Sequence, residues 1–434
     1  MEKTTYEDCI RLLQHELIPA LGCTEPIALA YCAAKARQVL GRELADFEAI
    51  DIYCSGNIIK NVKGVTVPRS GGLRGIEIAA AMGITGGDPD RGLEVLEDIT
   101  PDQVQQAVAL KDSGIMHLHV VEGEENLYIR TEIKAGEDQV AVTIEKEHTH
   151  ISRIVKNGQV IQEQEAGHTK AAQASSPATA TAQELTLKQI LEFANTVDFK
   201  AYPELLELLD RQISYNWEIA EEGLANPYGA QVGRTFLEHT QHDPIARKAI
   251  AYASAGSDAR MGGCNLPVVI NSGSGNQGVT VSLPVIVYAR EMQLDEDKLH
   301  RALLVSNLMA IHQKAFIGKL SAFCGVVSAA AGAGTGISYL KGLNYEQMSM
   351  VVTNTLATIG GMVCDGAKSS CAMKIAQALN NAFLAIDMAE KGLCFQHGEG
   401  LVGADVEATI RNIGRMAKEG MKSTDLEILN IMIE

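Results

Sequence analysis

Residues 164–184, QEAGHTKAAQASSPATATAQE, divide this chain of 434 residues into two parts with different patterning. The stretch is rich in Ala, Ser and Thr, which is a linker composition. Before it come short alternating runs bounded by Gly, Asn and Glu: IMHLHVVE, LYIRTEI, QVAVTIEKE and ISRIVKNGQVI. These are strand signals, and they predict a mostly antiparallel sheet. From Leu185 onward helical spacing dominates, as in DEDKLHRALLVSNLMAIHQKAF and NYEQMSMVVTNTLATIG. The expected fold is α+β. An N-terminal α/β domain (1–165) carries the sheet, 166–184 is a linker, and 185–434 is a large all-helical domain.

The N-terminal portion opens with two helices, over EDCIRLLQHELIPALG and PIALAYCAAKARQVLG, with Pro19 and Gly22 breaking the first. Gly22-Cys23-Thr24-Glu25-Pro26 joins them. Cys23 therefore lies at a helix N-terminus, where the dipole favours a thiolate, although a small residue in a tight junction has the same appearance. Cys32 falls among alanines on the apolar face and reads as core. Asn57-Ile58-Ile59-Lys60-Asn61 reads as a polar loop whose amides and amine are suited to a carboxylate. His148-Thr149-His150 lies at a strand junction and reads as an exposed strand end.

Two glycine-rich loops interrupt the helical portion: Ser257-Asp258-Ala259-Arg260-Met261-Gly262-Gly263, and Asn271-Ser272-Gly273-Ser274-Gly275-Asn276-Gln277-Gly278. The second formally matches GxGxxG. Pro284 inside the helix that would have to follow, and the lack of a βαβ repeat, argue against a dinucleotide fingerprint and an NAD-dependent oxidoreductase. Its bare N–H groups and its Ser and Asn side chains fit a carboxylate cradle or a sharp turn. In 321–337, SAFCGVVSAAAGAGTGI, Cys324 sits among small residues that permit a close helix crossing.

The densest cluster of chemistry is 360–374, GGMVCDGAKSSCAMK. Cys364 and Cys371 are spaced more widely than a CxxC pair. On one straight helix they would lie about 10 Å apart, so Gly366 must fold the chain back. Ser369 or Ser370 then caps a helix whose first turn holds Cys371, a position that lowers a thiol pKa.

Composition narrows the setting. The nine cysteines are an odd number scattered along the chain, which opposes a disulfide framework and points to a reducing cytosol. The net charge of −17, without a basic block, makes nucleic acid and anionic membrane poor partners. The charged N-terminus has no signal-peptide core, and 321–338 falls short of a membrane span. A small amino acid as substrate, a cytoplasmic location and a homodimer are the expectations.

Cys23 in GCTEP, Cys324 in AFCG, and Cys364 with Cys371 in MVCDGAKSSCAMK, together with SDARMGG and SGSGNQG, resemble the L-cysteine desulfidase family. That family is related to the α-chain of iron–sulfur-dependent L-serine dehydratases. The resemblance covers nearly the whole chain. It implies that Cys324, Cys364 and Cys371 ligate a [4Fe–4S] cluster and that Cys23 is the proton acceptor. It implies a PLP-independent lyase that converts L-cysteine to pyruvate, ammonia and sulfide. The shorter interval between the last two ligands and a C-terminal tail without cysteine depart from the serine dehydratases. The same chemistry on L-serine or L-threonine, or a non-catalytic iron–sulfur redox sensor, are the alternatives. Residue type nominates Asn57, Lys60, Asn61, Ser272, Ser274 and Asn276 as donors to the substrate carboxylate. Cys9, Cys54, Cys264 and Cys394 receive no role, with Cys264 the one to reconsider as a ligand.

Overall fold

In the computed structural model, which describes residues 3–122, 124–163, 177–238 and 244–433, a sheet-bearing N-terminal region adjoins a larger helical body. The N-terminal region contains α1 (Lys3–Glu16), β1 (Pro19–Leu21), α2 (Thr24–Leu40), β2 (Ala49–Ser55), α3 (Gly56–Val62), α4 (Ile76–Gly86) and α5 (Pro101–Asp112). Five further strands follow: β3 (Met116–Val121), β4 (Tyr128–Ala135), β5 (Asp138–Glu145), β6 (Ile151–Lys156) and β7 (Gln159–Glu163). They join β2 in one sheet of order β3-β2-β4-β5-β6-β7, antiparallel except for the β2–β3 pair. The run ISRIVKNGQVI is not one strand but a hairpin, because Asn157 and Gly158 both take positive φ and turn the chain. Alternation sets the faces. Ile50, Ile52 and Cys54 of β2 are buried, and α2 packs on the sheet, with the Cys32 thiol against the Val142 carbonyl at 3.3 Å.

Of the stretch read as linker, 166–176 lies outside the described residues. Its end forms α6 (Pro177–Glu184), which docks through Gln183 and the Ala182 carbonyl onto Ala315 and His312. The helical body continues with α7 (Leu187–Thr196), α8 (Pro203–Ala225), α9 (Val232–Glu238), α10 (Pro244–Met261), the short β8 (Pro267–Val269), α11 (Gly275–Glu291) and α12 (Glu296–Ile317). It ends with α13 (Val326–Leu340), α14 (Tyr345–Ile359), α15 (Cys371–Glu390), α16 (Val406–Arg415) and α17 (Lys422–Ile433). Helix α13 is buried at every position and forms the axis, surrounded by α11, α12, α14 and α15. Its small residues make that possible: a Cβ on Gly332 would stand 2.6 Å from the Ser306 carbonyl oxygen of α12.

Both chain ends cross between the two regions. Helix α1 packs on α6, α7, α8 and α12, and β1 pairs antiparallel with β8. In return α17 lies on α3, with Leu429 against Gly56. Among the described residues no helix is long and apolar enough to cross a membrane.

Three sequence expectations change. Residues 57–61 are not a loop but most of α3, because they follow β2 directly and bury Ile58, Ile59 and Lys60. Ser257 to Met261 are helical, so the turn there is only Gly262-Gly263. A helix does follow the second glycine loop, α11, and it contains Pro284. The loop is nonetheless preceded by a strand of a two-stranded antiparallel sheet rather than a βαβ unit.

Candidate active site

The α1–α2 junction, the second glycine loop and the two cysteine loops converge on one cavity. Cys23, Thr24, Glu25 and Asn61 line it from the N-terminal region. Arg260, Ser274, Asn276, Lys314, Cys324, Cys364 and Cys371 line it from the helical body.

The thiol side is built by backbone pairing. The Cys324 N–H donates to the Met362 carbonyl at 2.9 Å, and the Cys364 N–H donates to Ala322 at 2.7 Å. These bonds place the two thiols on neighbouring backbone segments, where each shifts the other's titration. The neighbouring Cys324 holds the Cys364 thiol below the usual range against the opposing effect of burial, with Lys60 and Lys314 assisting. Cys324 moves the other way. Gly366 reverses the chain at φ 91°, and a Cβ there would stand 2.6 Å from the Lys60 carbonyl oxygen. Cys371 then opens α15. Two expectations for this turn fail. Ser370 stands at the N-cap without a side-chain capping bond, and burial raises the Cys371 thiol despite the helix terminus.

These residues fit an iron–sulfur cluster better than a lone ion. Among the described residues no group of three or more His, Cys, Asp or Glu side chains is arranged to hold one metal ion. Cys324, Cys364 and Cys371 nonetheless face one cavity, where a cluster would take each thiolate on a different iron. The donors are soft sulfurs, and the Cys364 thiol is lowered by its neighbours. Lys314 supplies compensating charge: it is 5% exposed, burial pushes its amine down to about 8, and Cys364 and Cys324 oppose that shift.

The opposite side carries the polar recognition groups. Arg260, buried in α10, donates to the Gly22 carbonyl at 2.7 Å and to Asn276 Oδ1 at 2.5 Å. Its Nε is buried without a partner, and Gly275 packs against the guanidinium. Cys23 is the N-cap of α2, 3% exposed. The expected dipole activation does not prevail. Burial pushes the thiol up to about 12, while the Arg260 guanidinium pulls the other way. Glu25 accepts from Thr24 Oγ1 at 3.1 Å and from Asn61 Nδ2 at 3.3 Å. His148 is buried rather than exposed, with Nε2 3.9 Å from Glu25 Oε1.

Of the six nominated carboxylate donors, Asn61, Ser274 and Asn276 line the cavity. Asn57, Lys60 and Ser272 are not in its lining: Lys60 is paired with Asp425 of α17, and the Ser272 hydroxyl donates to Asn271. Cys264 is remote, in a separate groove with Glu218, Glu222 and Tyr228. Glu25, Arg260, His148 and Lys314 were not among the nominated residues. Glu25 and Arg260 stand inside quoted motifs, and Lys314 is a charge in an otherwise buried helical stretch.

A model of the serine dehydratase α-chain family matches residues 90–430. The chain belongs to that family. The match contains Arg260, Lys314 and the three clustered thiols, and begins after Cys23 and Glu25. Full-length relatives cover those too. UPF0597 proteins of Lachnoclostridium phytofermentans and Finegoldia magna are each 47% identical, over 99% and 98% of this chain and 100% and 98% of their own. A UPF0597 protein of Fusobacterium nucleatum is 44% identical over 99% of both chains. Family membership supports chemistry of the dehydratase and lyase type.

Proposed function

We propose that this protein is a PLP-independent lyase that eliminates the β-substituent of a small L-amino acid, with L-cysteine as substrate and sulfide, pyruvate and ammonia as products. The observation that carries this reading is the convergence of Cys23, Arg260 and the three clustered thiols on one cavity. Cys324, Cys364 and Cys371 would hold a [4Fe–4S] cluster. When bound, such a cluster supplies an iron with an open position, a Lewis acid for the departing β-thiol.

The remaining work falls to the chain. Arg260, positioned by Gly22 and Asn276, presents its guanidinium beside the Ser274 region to the substrate carboxylate. Cys23 takes the Cα proton as thiolate. The C–H electron pair forms the Cα–Cβ double bond as the C–S bond breaks and sulfur leaves with its electrons. The resulting aminoacrylate tautomerises to the imine, which water hydrolyses to pyruvate and ammonia. Because the Cys23 thiol sits high, its proton must leave before catalysis, and Arg260 and Lys368 are the charges that favour this.

L-Serine is the second reading, favoured by the family whose model matches. Assay of sulfide and pyruvate from L-cysteine, and of pyruvate from L-serine, by anaerobically reconstituted protein decides between them. Pyruvate from neither substrate overturns the elimination.

A further inference from the structure

Glu25 is a cavity carboxylate whose partners are incomplete. Its side chain is 13% exposed. Two neutral donors reach it, Asn61 Nδ2 and Thr24 Oγ1, whose single proton is shared with the Gly273 carbonyl at 3.0 Å. No lysine or arginine of the described residues pairs with it, and its one basic neighbour within 4 Å is His148, at 3.9 Å. Nε2 of that histidine is itself buried without a hydrogen-bond partner. Burial alone would raise the Glu25 carboxyl, yet the His148 and Thr24 contacts carry it below the usual carboxylate range. An ionised carboxylate in a confined site is costly without close cationic partners, and His148 at 3.9 Å stands beyond hydrogen-bond reach, which leaves room for a cation from the cavity. Arg260 does not pair with Glu25, since its terminal nitrogens donate to Gly22 and Asn276. Cys23, Glu25 and Arg260 line the same cavity, and Arg260 bonds the carbonyl of Gly22, the residue before Cys23.

We infer that Glu25 receives the α-ammonium group of the substrate, so that Arg260 and Glu25 together select a zwitterion over the matching hydroxy acid or plain carboxylate. This rests on the reading of the cavity as an amino-acid site. An α-amino acid places its carboxylate and ammonium on the same carbon that carries the transferred proton. Carboxylate held by Arg260 and ammonium held by Glu25 fix two of the four bonds at Cα, which leaves the C–H bond to be presented to Cys23. Thr24 and Asn61 orient Glu25, and His148 backs it from the β5–β6 turn, next to Gly273.

The test is calorimetric binding to the full-length protein of L-alanine, L-lactate and propionate, none of which carries a β leaving group. Wild-type protein is expected to favour L-alanine over L-lactate. Glu25→Gln should lower that preference by roughly tenfold or more, with L-lactate and propionate affinities held. Glu25→Asp, which keeps the charge, should retain part of the preference, and a thermal melt of each variant checks folding. The inference is overturned if wild-type protein shows no preference for L-alanine, if Glu25→Gln keeps it, or if that folded variant loses all three ligands equally. These outcomes are separate from turnover. Protein that binds L-alanine through Glu25 yet releases no pyruvate sinks the elimination and leaves the ammonium contact standing.

Discussion

The two sides of the cavity solve opposite electrostatic problems. The side carrying Cys324, Cys364 and Cys371 gathers groups that are neutral thiols by default and tips one of them toward thiolate with a neighbouring thiol and buried amines. The side carrying Cys23, Glu25 and Arg260 gathers formal charges and fixes them with short polar contacts, while its own thiol is held protonated by burial. The first arrangement suits a soft multinuclear metal group and the second suits a charged organic ligand. Metal retention and ligand handling should therefore fail separately when each side is altered.

The largest effect is expected on the thiol side. Cys364→Ala should abolish stoichiometric iron uptake and with it turnover, read by iron analysis, visible absorbance and pyruvate assay after anaerobic reconstitution. It should leave L-alanine binding in place, and retention of full iron would remove the assignment of that side.

Next in size is the tie between α17 and α3. Asp425→Ala strands the Lys60 ammonium in the interior and should cost about 3 kcal/mol in chemical denaturation, since a buried charge loses its partner. Gly366→Ala should cost roughly 1–3 kcal/mol and weaken iron retention, because φ 91° and the Lys60 carbonyl both oppose a side chain. A melting temperature equal to wild type would show that the turn between Cys364 and Cys371 is not a constraint.

A pH profile sharpens the contrast further. The folded Cys23 thiol sits near 12, so below that value its thiolate fraction grows about tenfold per pH unit. Turnover should climb with pH through the neutral and mildly alkaline range. Turnover per bound iron, measured on the same samples, isolates the Cys23 contribution from any change in iron content.

How much of this was legible in the sequence follows from the range of the interactions. The antiparallel sheet, the helical C-terminal portion and the Gly366 reversal are local signals, whereas the grouping of Cys23 with Cys324, Cys364 and Cys371 came from the family resemblance rather than from spacing. Lys60 could not be read, because its partner Asp425 lies at the far end of the chain and turns a nominated ligand group into a buried ion pair. Arg260 was hidden for a similar reason: its role depends on the Gly22 carbonyl, brought near when β1 pairs with β8. Residues 57–61 misled because polar side chains masked a short helix whose apolar partners lie on other elements. The pKa of Cys23 misled because a helix N-terminus is visible in sequence, whereas the burial that outweighs it is a property of the assembled fold.

The most direct test of the central claim compares wild-type protein and Cys23→Ala after anaerobic reconstitution with iron and sulfide, with iron content and pyruvate release measured on the same samples. Equal iron in both, with pyruvate formed from L-cysteine or L-serine by wild type alone, is the expected result. Undiminished pyruvate release by Cys23→Ala would contradict the division of labour between the two sides of the cavity.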